Sequence, residues 1–252
     1  GSGFETLIQG AKSMAIGDSA VTICAGSENM SAAPFSLDGN DARWGVNLGT
    51  NLKMRDSLWD GLTDSYAQVP MGITAENLAE KYNITREEGD EFTVRSQQAC
   101  GRAKEDGIFD LEIAPVEVKG RKGPTVIDTD EHPRPEATVE SLSKLRPVFK
   151  KDGVVTAASA SGICDGAGSI ILATEEAVKE HGFTPLARLA SYQVSGCDPS
   201  IMGIGPVPAI QGALERAGIT LADVDRVEIN EAFAAQFLAC AKELDLDMAK
   251  TN

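Results

Sequence analysis

Apolar residues take up the spacing of a helix face as soon as the chain starts. Phe4, Leu7, Ile8 and Ala11 stand at i, i+3, i+4 and i+7, and the small residues Gly1, Ser2 and Gly3 gather where that helix begins. A helix N-terminus leaves backbone N–H groups unpaired, so an anion set against this end would be stabilised by amides and dipole together. The next apolar run, residues 19–25 (Ser-Ala-Val-Thr-Ile-Cys-Ala), is short, rich in β-branched residues and closed by Gly26. That is the pattern of a buried strand, and helix followed by buried strand predicts an α/β layer with a parallel sheet.

From about residue 31 to 151 Pro, Gly and charge increase, as in an inserted lobe, and two helical patterns stand out. Thr74 is placed to cap a helix through Lys81, and Thr85 with Glu88 fits a capping box ahead of a longer helix reaching about Ala103. Asp152-Gly153 then turns the chain into 154–157. Residues 169–173 (Ser-Ile-Ile-Leu-Ala) read as a second buried strand, followed by a helix over 175–181. From Pro185 the texture repeats: a strand over 186–194, a Gly- and Pro-rich loop, a helix over 209–217, a strand over 226–229 and a helix from about 232 to 244. Turns that carry a strand into a helix are where such folds place ligand chemistry.

The 252 residues with 42% apolar content can bury a large core, and the length allows one big domain or two smaller ones. Thirty-eight acids against 23 bases give a net charge of -15, which opposes attraction to nucleic acid or to an anionic membrane surface. No run of about 18 apolar residues is present to insert stably in a bilayer. Cys24, Cys100, Cys164, Cys197 and Cys240 are scattered without a C-x-x-C pair, which argues against a zinc site or a disulfide scaffold and for a reducing compartment.

Several constellations could carry chemistry. Asn230 ends the 226–229 strand and opens the next helix, either projecting its amide into a crevice or simply capping that helix. The small-residue run from Ser159 to Gly168 suits a ligand-binding loop or a tight turn, and Met202-Gly203-Ile204-Gly205-Pro206 lacks the dinucleotide spacing. Lys144, Arg146, Lys150 and Lys151 form either a phosphate-facing cluster or a solvated surface. Of the two histidines, His181 ends a helix and His132 lies in a Pro-rich loop, and neither marks a general base.

Taken in order, Gly1-Ser2-Gly3-Phe4, Gly26-Ser27-Glu28-Asn29-Met30-Ser31, Asp165-Gly166-Ala167, Met202-Gly203-Ile204-Gly205-Pro206 and Asn230-Glu231-Ala232-Phe233 resemble the thiolase family across the whole chain. Asp56-Ser57-Leu58-Trp59, Thr74-Ala75-Glu76-Asn77-Leu78 and Cys197-Asp198-Pro199-Ser200 are most similar to its mitochondrial 3-ketoacyl-CoA branch. The resemblance implies a thiolase fold, two similar α/β halves with an inserted loop domain, incomplete in this chain. Residues 1–31 and 165–184 would belong to the N-terminal half, 32–164 to the loop domain and 185–252 to the C-terminal half. It further implies homodimers or homotetramers in the mitochondrial matrix, coenzyme A as a substrate and no permanently bound cofactor.

The implied activity is thiolytic cleavage of a 3-ketoacyl-CoA by CoA through an acyl-cysteine, in fatty acid β-oxidation. Non-catalytic acyl-CoA or lipid binding and acetoacetyl-CoA formation are the alternatives. Asn230 matches the family Asn that helps hold a water donating to an enolate oxygen. Arg134 and Ser141 match contacts to the adenine nucleotide end, Ala157, Ser161 and Phe149 match pantetheine contacts, and Leu62, Met71 and Phe233 would line the acyl or pantetheine passage. Pro70 stands where short-chain members carry His, which favours broader 3-ketoacyl substrates. The family nucleophile would stand immediately before Gly1, and the Gly-His-Pro histidine and second Cys beyond Asn252. The 252-residue polypeptide by itself is therefore expected to be inactive.

Overall fold

The computed structural model describes residues 1–49, 51–121 and 123–252. In chain order these form α1 (Ser2–Ala15), β1 (Val21–Glu28), β2 (Phe35–Leu37), α2 (Gly39–Arg43), β3 (Met54–Asp56), α3 (Ser57–Gly61), α4 (Met71–Tyr82) and α5 (Arg86–Glu105). There follow β4 (Val116–Gly120), β5 (Gly123–Ile127), α6 (Val139–Ser143), β6 (Gly166–Ala173), α7 (Glu175–His181), α8 (Pro206–Ala217) and α9 (Ala234–Leu244). They gather into two units that are each discontinuous in sequence. One joins Gly1–Asp64, Ile163–Gly196 and Pro208–Asp223; the other joins Ser65–Gly162, Cys197–Val207 and Val224–Asn252.

In the first unit α1 lies on a two-stranded pair in which β1 runs antiparallel to β6, with Val21 opposite Ala173 and Glu28 opposite Gly166. Gly10 permits the close approach of the helix, because a Cβ there would lie 2.8 Å from the Cys24 Sγ. The parallel sheet expected from helix followed by strand is not formed among the described residues. A parallel pair needs a crossover that carries the chain back to the end where the first strand began, whereas here the chain leaves β1 at Glu28 and enters β6 at Gly166 directly opposite, at the end it left. Nor are these strands buried on both faces. Cys24 points toward α1, while Ile23 and its cross-strand partner Ile171 on the other face are 72% and 64% exposed.

The predicted strand over 186–194 is likewise irregular. Its polar and aromatic groups are tied to helices: Ser191 Oγ donates to Ala213 O (2.7 Å), Arg216 donates to Tyr192 O (3.1 Å), and the Tyr192 ring sits 5.8 Å from Lys12 Nζ and 5.7 Å from the Arg216 guanidinium. A strand exists only with a ladder partner, and none of the described residues supplies one. The helix after β6 follows local signals closely. Thr174 caps α7, its Oγ1 accepting from Ala177 N at 3.2 Å, and Gly182 ends it in a left-handed conformation.

The second unit packs α4, α5 and α9. Leu78, Ala79, Ile84, Ala235 and Ala239 form its buried cluster, and Phe92 stacks on Phe237 with centroids 4.3 Å apart. The capping box is present: Glu88 N donates to Thr85 Oγ1 (3.1 Å) and Thr85 N to Glu88 Oε2 (2.7 Å). Thr74, by contrast, is no cap. It lies inside α4, buried, with its hydroxyl donating to Met71 O at 2.7 Å, so the helix starts three residues earlier. The predicted strand at 226–229 appears as a short parallel ladder, Val227 N to Lys250 O, Asn252 N to Val227 O and Ile229 N to Asn252 O, at 2.8–2.9 Å.

Removing the Thr85 hydroxyl strips α5 of its N-terminal cap. Thr85→Ala is expected to lower the free energy of unfolding in urea by about 1 kcal/mol, and an unchanged midpoint would contradict this account of the helix start.

Candidate functional site

A concavity of about 540 Å³ opens in the second unit. Arg134, Ser141 and Ala157, three of the predicted residues, line it together with Gln97, His132 and Leu145. Ser141 sits in the first turn of α6, where Thr138 N donates to its Oγ (3.1 Å) and its own N donates to Thr138 Oγ1 (3.2 Å). Arg86 fastens this short helix to α5. Its Nε donates to both Asp90 oxygens at 2.9 Å, its Nη2 to Leu142 O at 2.6 Å and its Nη1 to Leu145 O at 3.1 Å. Arg134 folds back over its own loop, donating from Nη1 to the carbonyls of Glu131, His132 and Pro133 at 2.7–2.9 Å. Its Nε and Nη2 donors make no hydrogen bond among the described residues, which leaves a planar cation presented at the rim.

The segment after α6 carries the next group. Glu76, buried in α4, accepts from Val154 N and Val155 N at 2.9 Å each and so pins the turn that follows Phe149. Phe149 lies over Gly72, where a Cβ would fall 2.2 Å from its ring, and meets Phe233 edge-on at 6.2 Å. Met71, half-buried, precedes Gly72 at the start of α4. Ser161 donates from N and Oγ to Ala232 O at 2.9 and 3.0 Å. Its hydroxyl thus braces the Asn230-Glu231-Ala232-Phe233 turn.

Asn230 itself is exposed and its side chain makes no hydrogen bond among the described residues. The position ahead of α9 belongs to Phe233, with extended dihedrals of -145° and 142°, and the Gln236 side chain approaches its N at 3.4 Å. The capping alternative for Asn230 therefore falls away, and its amide is free to meet a ligand. Leu62, the ninth predicted residue, belongs to the first unit, half-buried at the C-terminal end of α3.

The first unit has its own cleft of about 400 Å³ at the N-terminus of α1, lined by Ser2, Gly3, Gly26, Ser27, Cys164 and Asp165 among others. Three motifs that are separate in sequence meet there. Ser31 N donates to Asp165 Oδ1 at 2.9 Å and the Ser31 hydroxyl donates to Asp165 Oδ2. These bonds, the hydroxyl first and the Ser31 and Met30 amides after it, hold the Asp165 carboxyl below the usual range.

The cysteines differ sharply in setting. Burial pushes the Cys240 thiol up to about 11, and burial also raises Cys100 and Cys197, helped by Asp130 and Asp198 respectively. Cys24 is buried under α1, and Cys164 is exposed in the first unit's cleft. Of the basic cluster, Lys144 pairs with Glu140 at 2.9 Å and Lys150 with Glu80, all exposed, and none of the four bases lines the concavity. This favours the solvated-surface alternative. Among the described residues no group of three or more metal-ligating side chains is found, and no helix is long and apolar enough to cross a membrane.

Sequence reasoning passed over Gln97, whereas His132, set aside there as a general base, lines the concavity. Gln97 lies on a polar stretch of α5 that carries no local signal, and only the docked loop gives it a role.

Two measurements follow from this geometry. Because the folded-state carboxyl of Asp165 titrates lower than the unfolded one, the Ser31 link stabilises the fold above the unfolded value and is lost as pH falls through the folded one. Ser31→Ala should move the Asp165 carboxyl titration, followed by NMR, upward toward an ordinary aspartate; no movement would refute the link. In native thiol labelling at pH 8, Cys164 should react fully while Cys240 reacts only after unfolding, and rapid labelling of Cys240 would contradict its burial.

Comparison with known proteins adds an independent line. The family model for the N-terminal domain of thiolase matches residues 1–176, and that for the thiolase C-terminal domain matches residues 183–252. The mitochondrial 3-ketoacyl-CoA thiolase of Bos taurus is 56% identical over all 252 residues. A crystal structure of human mitochondrial 3-ketoacyl-CoA thiolase superposes with a TM-score of 0.96 at 54% identity, covering 100% of this chain. A second human structure, solved in complex with CoA, gives 0.94 at 53% identity. The chain spans 63% of the length of the bovine relative and 62–63% of the human chains.

Proposed function

The chain belongs to the thiolase family, and from that premise we propose that the protein carrying it is an acetyl-CoA C-acyltransferase. It cleaves a 3-ketoacyl-CoA with CoA, giving acetyl-CoA and a shortened acyl-CoA in fatty acid β-oxidation. The observation that carries this reading is the identity of 54–56% with mitochondrial 3-ketoacyl-CoA thiolases along the entire chain. The matching human structure in complex with CoA supports CoA as a ligand, and we take it as a substrate, with no permanently bound cofactor.

The reaction forms and breaks bonds in two steps. A cysteine thiolate adds to the 3-keto carbon, the bond between carbons 2 and 3 breaks, and the acyl group stays on sulfur while the acetyl-CoA enolate takes up a proton. The thiol of free CoA then displaces the cysteine and carries the acyl group away. The amide-rich N-terminus of α1 suits the thiolate, and Asn230, its amide uncommitted, suits the water that donates to the enolate oxygen.

On the ligand side, Arg134 offers two free donors at the mouth of the concavity to the phosphorylated nucleotide end of CoA, with Ser141 beside it. Ala157, Ser161 and Phe149 suit the pantetheine arm and Met71 and Phe233 its apolar surroundings, while Leu62 of the first unit is kept as an apolar acyl contact by resemblance alone. Pro70 favours 3-ketoacyl chains broader than acetoacetyl. The names of the relatives support a mitochondrial compartment; the matrix, and a homodimer or homotetramer, belong to the proposal. The division into 1–31 and 165–184, 32–164, and 185–252 is retained as the domain plan.

The test is thiolysis of a 3-ketoacyl-CoA by the natural protein that carries this sequence, followed by loss of substrate. Turnover that falls roughly 100-fold in kcat in Asn230→Ala, with CoA binding retained, is the expected result. CoA binding without any turnover would replace this reading with a non-catalytic acyl-CoA binding protein.

A further inference from the structure

One turn of α5 holds three separate segments of the second unit. Arg95 Nη2 donates to Met248 O (3.0 Å) and Thr251 O (2.7 Å). Ser96 Oγ donates to Glu231 Oε1 (2.9 Å), Gln97 Oε1 accepts from Arg134 N (2.6 Å), and Gln98 Nε2 donates to Ala137 O (3.4 Å). Successive residues of a helix are rotated by roughly 100°, so neighbours in sequence necessarily reach in different directions. Two of these bonds end beside the two groups that the proposed reaction uses for different purposes.

We propose that Ser96 and Gln97 are a pair of positioning residues that divide the site between them, an inference that rests on the thiolase reading. Ser96 sets the turn carrying Asn230, and Gln97 sets the loop carrying Arg134.

Asn230 has no side-chain partner of its own among the described residues, so the direction of its amide follows the backbone of 229–232. That backbone is held at three points. Ile229 N donates to Asn252 O (2.9 Å), Ala232 O accepts from Ser161, and the half-buried Glu231 carboxylate accepts from Ser96. Losing the Ser96 bond frees the residue that directly follows Asn230, and a misplaced donor weakens transition-state stabilisation more than ligand binding.

The Arg134 loop depends on α5 in a parallel way. Gly101 lets it seat, since a Cβ there would lie 2.4 Å from Pro135 Cβ, and Gln97 accepts the backbone N–H of Arg134 itself. Once seated, the loop offers its own carbonyls to the guanidinium. Losing Gln97 loosens a binding group that is equally engaged in ground and transition states, which is the signature of a KM effect.

Steady-state thiolysis by the natural protein separates the two roles. Ser96→Ala should lower kcat about tenfold with the KM for CoA within about twofold, and Gln97→Ala should raise that KM about fivefold with kcat within about twofold. Ser96→Thr and Glu231→Gln, which keep donor and acceptor, should restore kcat, and Glu231→Ala should reproduce Ser96→Ala. Variants that shift the same parameter, or that leave both untouched with normal thermal melting, overturn the division. If the unmutated protein shows no thiolysis, the functional reading fails by itself and positioning is read from amide hydrogen exchange. Gln97→Ala should then speed exchange at the Arg134 amide at least fivefold or so while Ser96→Ala leaves it unchanged. Equal exchange in all three proteins overturns the proposal.

Discussion

A twenty-residue helix rich in Glu, Arg and Gln can pack into a unit only if the polar side chains on its packed faces find fixed partners, and from Arg86 to Gln98 α5 meets that condition. Buried Asp90 is met by the Arg86 guanidinium, which in turn holds two carbonyls of the α6 segment. Phe92 supplies the apolar contact to α9, and the turn from Arg95 to Gln98 reaches three distant segments. Among the described residues no buried side-chain nitrogen or oxygen is left without a partner. Removing one member of such a network strands another in a low-dielectric interior, so its members act together.

The same economy shapes the binding segments. The loop at 131–137, the turn after Phe149 and the turn at 230–233 have almost no regular structure of their own, and each is fixed by a side chain on a helix: Gln97, Glu76 and Ser96. Loops held in this way keep their remaining donors directed outward, as at Arg134, or leave a side chain uncommitted, as at Asn230. In the first unit the equivalent clamp is Asp165 on Ser31, which draws the small-residue segment after Gly162 against the end of β1. Both clefts thus lie where small or polar loops are fastened by one carboxylate or amide.

Helix positions were legible in the sequence because their signals are local. The stripe through Phe4, Leu7 and Ile8 marked α1, Thr85 with Glu88 marked the start of α5, and the run beginning at Glu175 marked α7. Strand partners were not legible. The β-branched runs at 19–25 and 169–173 announced strands, but as buried members of a parallel sheet, whereas they pair antiparallel and leave Ile23 and Ile171 uncovered, and 186–194 carried strand-like residues but was bound to helices instead. Thr74 imitated a cap yet lies inside α4, because a buried hydroxyl can be satisfied by a carbonyl one turn back as readily as at a helix end.

The ordered motifs from Gly1 to Phe233 determined the family, since several short signatures in a fixed order constrain a chain far more than any single one. Composition by itself set the acidic balance and the capacity for a core. The tertiary structure alone decided that Asn230 is no helix cap, that the Ser161 hydroxyl braces Ala232, and that Gln97 and Ser96 touch the site at all. The physical reason is range: caps and apolar stripes act within one or two turns, whereas a hydrogen bond between residues 97 and 134, or 96 and 231, exists only after packing has brought the segments within 3 Å of one another.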